Sequence, residues 1–206
     1  MLRHLVRLAS VAVLLVFFLP TLKQIHWSYI NYFSKYVVKV ENLAGTSGGT
    51  GFYLKHRGKV YIITNQHVCN LATQGLLIIS NKIYTYGATV YKIYPYSDLC
   101  AINAPAEQTS GLSIARWHSI HQRIFIIGHP LLEPTTITEG EISDYTEITI
   151  PYKINVMSMT AQVLGGNSGS PVVDNFGNVV GVAFAGYQSR SYAVPYEDLY
   201  EFAESL

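Results

Sequence analysis

A glycine-rich turn late in the chain presents a serine in surroundings that suit a nucleophile. The segment is GGNSGSP, residues 165–171, in which Ser168 lies between Gly166 and Gly169. Glycine adopts positive φ at little cost, so these residues permit a sharp turn that exposes the serine side chain. The backbone N–H groups of Gly166 and Ser168 would then point into one concavity and form an oxyanion hole. An ordinary tight turn uses the same residue types, so the segment alone leaves both interpretations open.

A serine nucleophile requires a base that takes its proton and a carboxylate that orients the base. His67 is the candidate base among seven histidines, because it follows the apolar strand pattern at residues 60–64. A histidine hydrogen-bonded within a turn is an equally good interpretation of that segment. Asp98 is the candidate acid, because it leads into the apolar run 99–102, where an unpaired carboxylate is costly to bury. By itself, Asp98 could also cap the start of a strand.

The composition argues against a nucleic-acid-binding protein. The chain has 206 residues, of which 49% are hydrophobic and 13% charged, and its formal net charge is +1. A nucleic-acid surface would show a clustered excess of Lys and Arg, which this sequence lacks. His118 and His121 form an isolated His-x-x-His and the two cysteines lack the companions of a zinc site, so we expect no metal and no cofactor. The length fits one compact domain, or two small ones that share a core.

The N-terminal segment predicts export. Arg3 and Arg7 lie at the start of a largely apolar segment that extends from Leu5 to Leu22. A helix that crosses a bilayer contains about 17–25 residues, and the length of this segment is near the lower end of that range. No small-x-small cleavage site follows, so we favour an uncleaved signal anchor, residues 1–30, over a cleaved secretory signal or a buried helix. The basic residues before the run then place the rest of the chain in the periplasm or outside the cell, anchored to the membrane. Secretion after signal cleavage is the alternative.

From about residue 36 onward, the sequence is a series of short β patterns separated by turn residues. These runs are rich in β-branched and aromatic residues and lack a long helical period, which indicates an all-β sandwich or barrel. One short helix is predicted at residues 195–203, because proline and acidic residues begin it and apolar residues recur at helical spacing. A polar stretch near residues 104–118 would join two halves. The predicted strands are 36–41, 50–55, 59–64, 76–80, 83–94, 99–103, 123–128, 136–143, 146–150, 154–161, 172–174, 179–185 and 191–194.

Three segments together resemble the catalytic segments of chymotrypsin-like serine proteases. TNQHVC, SDLCAI and GGNSGSPVV occur in that order and resemble the His, Asp and Ser segments of the family. The greatest similarity is to the bacterial and viral trypsin-like branch, which includes HtrA-type enzymes and glutamyl endopeptidases. GGTGFYL, IFIIGHP, TITEGEIS and SYAVPYEDL resemble other parts of the same fold, so the resemblance covers roughly residues 36–200. The resemblance is specific to this family because the His, Asp and Ser motifs all occur, and in the family's order.

The resemblance implies two antiparallel six-stranded β-barrels with the active site in the cleft between them. The first barrel, residues 31–112, would contribute His67 and Asp98. The second, residues 113–206, would contribute Ser168 and the oxyanion hole and end in the short helix. His67 would act as general base and then acid, Asp98 as its orienting group, and Ser168 as the nucleophile that forms an acyl-enzyme. The implied function is a serine endopeptidase with peptide or protein substrates. An inactive peptide-binding relative on the same fold is the alternative, which the complete set of three residues disfavours.

Departures from the family pattern bear on activation and specificity. Asn167 stands where vertebrate digestive relatives have an aspartate that pairs with a newly cut N-terminus, so we expect no such activation. Because the sequence ends at Leu206, we expect no PDZ domain and do not extend to this chain the regulated oligomeric behaviour of HtrA-type enzymes. By resemblance, the primary specificity pocket contains neither an acid nor a histidine, and we predict cleavage after a small or medium apolar residue. The predicted pocket residues are Gln162, Val163, Leu164, Ala183, Phe184, Ala185 and Gly186.

The two cysteines each follow a predicted catalytic residue by two positions, Cys69 after His67 and Cys100 after Asp98. If His67 and Asp98 are in contact, the cysteines also come close, and an exported domain permits a disulfide. Two buried free thiols are the alternative, and we favour them. Neither cysteine replaces Ser168, so a cysteine nucleophile is not expected.

Overall fold

Two closed antiparallel β-barrels of six strands each account for most of the chain. The computed structural model describes residues 24–149, 153–187 and 190–206, and both barrels belong to one unit, residues 33–206. Residues 24–32, which belong to a separate unit, are helical and are designated α1.

The first barrel has the strand order β1-β2-β3-β6-β5-β4. A single helical turn, α2 (Gln66–Cys69), follows β3, and a short 3-10 turn (Pro95–Ser97) precedes β6. The strands are β1 (Val37–Glu41), β2 (Gly48–His56), β3 (Lys59–Asn65), β4 (Leu76–Ser80), β5 (Thr85–Tyr94) and β6 (Leu99–Asn103).

The second barrel has the order β10-β11-β12-β9-β8-β7. A 3-10 turn (Pro130–Leu132) follows β7, and the helix α3 (Tyr196–Glu204) follows β12. The strands are β7 (Arg123–Gly128), β8 (Thr136–Thr149), β9 (Lys153–Met159), β10 (Pro171–Val173), β11 (Val179–Tyr187) and β12 (Arg190–Pro195).

Each barrel has its own core, filled by alternate side chains of its strands. Successive side chains in a strand point to opposite faces, so residues two apart line the same interior. Burial of each large aliphatic side chain contributes about 1.5–3 kcal/mol to stability. The first core includes Val38, Val40, Tyr53, Ile62, Leu77, Ile79 and Ile102, and the second includes Ile124, Ile126, Ile142, Met157, Met159, Val172 and Val180.

The helix α3 connects the end of the second barrel back to the first. It buries Leu199 and Phe202, and the Phe202 ring stacks on Tyr94 of β5 at 5.4 Å between centroids. Glu204 in its last turn lies 2.7 Å from His56 Nε2 at the end of β2. These contacts hold the two barrels in one relative position, which fixes the groups that meet between them.

The predicted all-β fold with two six-stranded barrels and a C-terminal helix is confirmed, with local differences. Residues 136–143 and 146–149 of two predicted strands belong to the single strand β8, in which a bulge between Ile142 and Asp144 interrupts the alternation. Residue 150, the predicted end of the second strand, lies outside the described residues. The helical turn α2 was not predicted, because four residues are too few to show a helical period. The predicted boundary between residues 112 and 113 falls in the segment that joins β6 to β7.

The apolar run that predicts a membrane anchor, residues 5–22, lies outside the described residues. Of the part of the chain that the structure describes, no helix has the length and apolar character needed to cross a bilayer.

Cys69 and Cys100 form a disulfide, so the favoured expectation of two free thiols is wrong. Thr64 of β3 pairs with Cys100 of β6, and α2 begins directly after β3. The helical turn brings Cys69 back towards β6, with 6.5 Å between the two Cα atoms. The bond joins the segment that carries His67 to the segment that carries Asp98.

We expect reduction of this disulfide to lower the free energy of unfolding by about 3–4 kcal/mol, because the bond closes a loop with a sequence separation of 31. Chemical unfolding with and without reductant measures the change, and the double variant Cys69→Ala/Cys100→Ala should be insensitive to reductant. Equal stability of the parent protein in both conditions, or rapid alkylation of its cysteines without reductant, would contradict the assignment.

Candidate active site

The structure brings His67 and Asp98 into direct contact at the edge of the first barrel. The ring Nδ1 lies 2.8 Å from Asp98 Oδ2, and the His67 backbone N–H donates to Asp98 Oδ1 at 3.0 Å. An ionised carboxylate accepts hydrogen bonds and donates none, so in the neutral ring Nδ1 carries the proton and Nε2 has a free lone pair. The His67 side chain is 48% exposed and that of Asp98 24%, which leaves the imidazole open to a substrate while the carboxylate is shielded.

Asp98 has a left-handed backbone conformation, with φ 50° and ψ 41°. This conformation costs a non-glycine residue roughly 1–2 kcal/mol and is maintained by surrounding contacts. The Asp98 carbonyl accepts hydrogen bonds from the Gln66 N–H and from Asn65 Nδ2, each at 3.0 Å. Both donors belong to the two residues that directly precede His67, so the contacts that offset the strain also fix the carboxylate relative to the imidazole.

Two glycines of the Ser168 turn occupy positions that exclude any side chain. Gly166 has φ +89° and Gly169 has φ +87°. A Cβ atom at Gly166 would collide with the His129 carbonyl, and one at Gly169 would collide with the Thr50 carbonyl. The sequence predicts that Gly169 exposes the serine. The structure adds that Gly169 lets the turn approach the first barrel.

The direction of the Gly166 N–H is set by the orientation of the peptide unit that contains it, which joins Gly165 to Gly166. The carbonyl of that unit belongs to Gly165 and accepts a hydrogen bond from the Leu131 N–H at 2.6 Å. The described residues contain no cis peptide, so the N–H points away from this carbonyl. The Gly166 N–H has no acceptor in the described part of the chain.

The N–H group of Ser168 is directed in the same way. The carbonyl of Asn167, in the same peptide unit, accepts from the Ser170 N–H at 2.9 Å. The Ser168 N–H therefore points away from that bond, and within the described ranges it too lacks an acceptor. Two N–H donors are thus available on either side of Asn167, as an oxyanion hole requires.

The Ser168 hydroxyl donates to the Phe184 carbonyl at 3.1 Å. Among the hydrogen bonds of the described residues, none joins this hydroxyl to His67. Rotation about the serine Cα–Cβ bond, from one staggered position to another, is needed to redirect it. Catalytic hydrogen bonds are often absent in a free enzyme and form with substrate.

Gly49 lies between the segment that carries His67 and the turn that carries Ser168. A Cβ atom at Gly49 would lie 2.6 Å from the Ser168 carbonyl oxygen and 2.8 Å from Val68 Cγ2. Both are too short for a real Cβ, so glycine is required. Because Val68 follows His67, the predicted base and nucleophile lie on either side of one glycine.

Thr50 is a residue of the site that the sequence did not single out. It is fully buried in β2, where its hydroxyl donates to the Gly166 carbonyl at 2.8 Å and accepts from the His129 N–H at 2.9 Å. Its backbone N–H donates to the Ser168 carbonyl at 2.7 Å. The available signal was a polar residue between two glycines, in GGTGFYL, at a buried strand position.

The turn that supplies the Leu131 N–H is itself stabilised by a buried histidine. His129 Nδ1 donates to the Glu133 carbonyl at 3.0 Å, so Nε2 of the neutral ring accepts from Thr135 Oγ1 at 3.3 Å. Burial lowers the pKa of His129, which favours this neutral form. The imidazole therefore spans the turn as a fixed cross-link between its ends.

The His-x-x-His of the sequence has other partners. The His118 ring packs on Tyr145 and Tyr196, with 5.0 and 4.6 Å between centroids, and His121 lies 3.7 Å from Glu141. Within residues 24–149, 153–187 and 190–206, no group of three or more His, Cys, Asp or Glu residues is arranged to hold a metal ion.

The residues predicted for the specificity pocket lie on two neighbouring segments. The Val163 N–H donates to Ser191 Oγ of β12 at 2.9 Å, and its carbonyl lies so close to Gly186 that a Cβ there would collide. Ala183 is fully buried in the core of the second barrel and Val163 nearly so, whereas Leu164 is exposed. The others are Gln162, beside Val163, and Phe184 and Ala185, in β11. A role in substrate binding stays a prediction for this set.

Comparison with curated sequences gives the same family. Residues 49–182 match the family described as the trypsin-like peptidase domain. A probable periplasmic serine endoprotease DegP-like of Chlamydia pneumoniae is 30% identical over 159 residues, which cover 71% of this chain and 32% of that protein. Serine protease Do-like HtrB of Bacillus subtilis is 28% identical over 199 residues, which cover 80% of this chain and 42% of that protein. The chain thus spans less than half the length of these relatives.

Solved structures of proteases have a similar fold. A serine endoprotease from Yersinia pestis has a TM-score of 0.74 at 24% identity, covering 87% of this chain and 65% of that one. The inactive form of the Rv3671c protease has a TM-score of 0.74 at 21% identity, covering 86% of this chain and 91% of that one. The family match and the fold confirm the resemblance predicted from TNQHVC, SDLCAI and GGNSGSPVV. The chain belongs to the family of trypsin-like peptidase domains.

Proposed function

We propose that this chain is a serine endopeptidase in which Ser168 is the nucleophile, His67 the general base and acid, and Asp98 the group that orients His67. One observation carries the proposal: an oriented imidazole and two N–H donors without acceptors in the described residues occur at the same site. A protein that merely binds peptides needs no base with a free Nε2. The relatives described as serine proteases support the same activity.

Acylation begins when the Ser168 hydroxyl leaves the Phe184 carbonyl and donates to His67 Nε2. Its oxygen attacks the substrate carbonyl carbon while the proton passes to Nε2, and Asp98 stabilises the resulting imidazolium through Nδ1–H. The substrate oxygen becomes an oxyanion that accepts from the Gly166 and Ser168 N–H groups. The C–N bond then breaks, and Nε2 gives its proton to the leaving amine.

Deacylation repeats these steps with water as the nucleophile. His67 Nε2 takes a proton from water as the water oxygen attacks the acyl carbon, and the same two N–H groups bind the second oxyanion. The bond from the acyl carbon to Ser168 Oγ then breaks, and Nε2 returns the proton to the serine. The products are a free carboxylate and the original enzyme.

The substrate backbone would bind along the edge of β11 as an added strand. β10 pairs with β11 no further than Val182, whereas β12 pairs with β11 as far as Tyr187. Directly after Val182, the Ser168 turn still bonds to β11, because the Gly169 N–H donates to the Ala183 carbonyl and the Ala183 N–H donates to the Ser170 carbonyl. Among the described strands, none pairs with this side of β11 from Phe184 onward. The Phe184 carbonyl on this stretch accepts the Ser168 hydroxyl, so the unpaired edge adjoins the nucleophile. Such an edge binds an extended peptide through main-chain hydrogen bonds.

We further propose that the catalytic unit acts outside the cytoplasm and that residues 5–22 anchor it to the membrane. Arg3 and His4 precede this segment and Arg7 lies near its start, and basic residues on the N-terminal side support that orientation. The Cys69–Cys100 disulfide supports export, because disulfides persist in oxidising compartments. The relative from Chlamydia pneumoniae is described as periplasmic, which is consistent with such a location.

We expect Ser168→Ala to lower peptide turnover by about 10⁶-fold and to abolish labelling of the full chain by a fluorophosphonate, because the attacking oxygen is lost. Ser170→Ala is the matched control, since the Ser170 Oγ is buried without a partner in the described residues. It keeps the backbone N–H, so labelling should persist. Labelling that survives in Ser168→Ala contradicts the assignment, and a folded parent protein that is never labelled contradicts the function.

The pocket assignment predicts cleavage after small or medium apolar residues, because none of the predicted lining residues can pair with a charged side chain. A peptide library digested by the full chain and read by mass spectrometry gives the preference directly. Ser168→Ala, prepared in the same way, identifies cleavage by contaminating proteases. A dominant preference for Lys, Arg or Glu before the cut would show that other residues form the pocket.

A further inference from the structure

One hydroxyl of the first barrel joins two loops of the second barrel beside the Ser168 site. Thr50 Oγ1 donates its single proton to the Gly166 carbonyl and accepts the His129 N–H, at 2.8 and 2.9 Å. The three residues are far apart in sequence, with separations of 116 and 79 positions from Thr50. The Thr50 side chain is therefore a direct link between the Ser168 turn and the turn that begins at His129.

The turn that begins at His129 depends on external contacts for its conformation. Leu131 and Leu132 have φ values of 55° and 60°, although neither is a glycine. Left-handed conformations cost such residues roughly 1–2 kcal/mol each. The strained turn presents the Leu131 N–H to the Gly165 carbonyl. The bond from His129 to Thr50 fixes the start of this turn.

The Gly166 carbonyl also depends on its hydrogen bond from the Thr50 hydroxyl, but for a different reason. Gly166 has no side chain to restrict its backbone, so the peptide units on either side of its Cα rotate readily unless they are bound. Leu131 holds the unit before Gly166, and Thr50 holds the unit after it. If the Gly165–Gly166 unit turned over, it would present a carbonyl to the substrate oxygen in place of the N–H.

We propose that Thr50 is a positioning residue whose hydroxyl keeps the Gly166 N–H directed at the substrate oxygen. The inference rests on the proposed protease function. Thr50 is fully buried and acts through Gly166 and His129, without touching the substrate. Its hydroxyl therefore contributes when negative charge develops on the substrate oxygen, and it contributes little to binding of the uncleaved peptide.

The test compares three variants of the full chain. Thr50→Val removes the hydroxyl at nearly constant volume, and Thr50→Ser keeps it. Thr64→Val is the matched control, because the Thr64 hydroxyl is equally buried but donates to the Thr50 carbonyl, at 2.7 Å, and to neither loop.

We expect Thr50→Val to lower kcat about 10- to 100-fold with KM changed less than about twofold, since complete loss of one oxyanion donor costs about 10²–10³-fold. Affinity for a peptide aldehyde, which forms a tetrahedral adduct, should fall in parallel with kcat. Thr50→Ser should restore both within a few-fold. Equal losses of kcat in Thr50→Val and Thr64→Val would overturn the proposal, because they would indicate general loosening of the barrel.

Amide hydrogen exchange provides a readout that does not depend on activity. In Thr50→Val the Leu131 N–H should exchange at least about tenfold faster, although its own acceptor on Gly165 is unchanged, while amides of the β8–β9 pairs keep their protection. Unchanged protection of Leu131 in Thr50→Val would overturn the proposal. If the parent protein neither cleaves peptides nor reacts with a fluorophosphonate, the protease function fails, and the exchange result still decides whether Thr50 positions the turn.

Discussion

The planar trans peptide is the constraint on which the site depends. The carbonyl and N–H of one peptide unit point in opposite directions, so binding the carbonyl fixes where the N–H is aimed. At Gly165 and Asn167 the carbonyls accept from the Leu131 and Ser170 N–H groups. The two N–H groups of the proposed oxyanion hole are thereby set before any substrate arrives. Prior orientation matters because donors that need no reorganisation stabilise a developing charge most strongly.

Close approach between the barrels makes that arrangement possible, and glycine makes the approach possible. Gly49 in the first barrel and Gly169 in the second each lie where a Cβ would collide with the opposite barrel's backbone. At this contact the Thr50 N–H binds the Ser168 carbonyl. Each such buried hydrogen bond contributes a net 0.5–1.5 kcal/mol, roughly, but loss of one partner leaves a buried polar group unpaired at about 1–3 kcal/mol. The hydrogen bonds between the barrels therefore stabilise the interface together, and removal of one bonding partner by substitution destabilises it.

Local pattern predicted much of this structure, and tertiary contacts account for the rest. Alternating apolar residues placed most strands, and the motifs around His67, Asp98 and Ser168 indicated the family. The bulge in β8 interrupted the alternation and made one strand look like two. The sequence offered the disulfide only as the less favoured of two interpretations, and it did not indicate the role of Thr50, because both depend on distances between segments remote in sequence. A buried threonine between glycines is visible in the sequence, but its two partners are visible only in the fold.

A crystal structure of the protein with a peptidyl boronic acid bound to Ser168 tests the central claim most directly, because the tetrahedral boronate mimics the oxyanion. We predict one boronate oxygen within hydrogen-bond distance of both the Gly166 and Ser168 nitrogens, about 2.7–3.1 Å. The bonds from Leu131 to the Gly165 carbonyl and from Thr50 to the Gly166 carbonyl should be unchanged. A boronate oxygen bound elsewhere, or a Gly165–Gly166 peptide that turns over on binding, would contradict a preformed oxyanion hole.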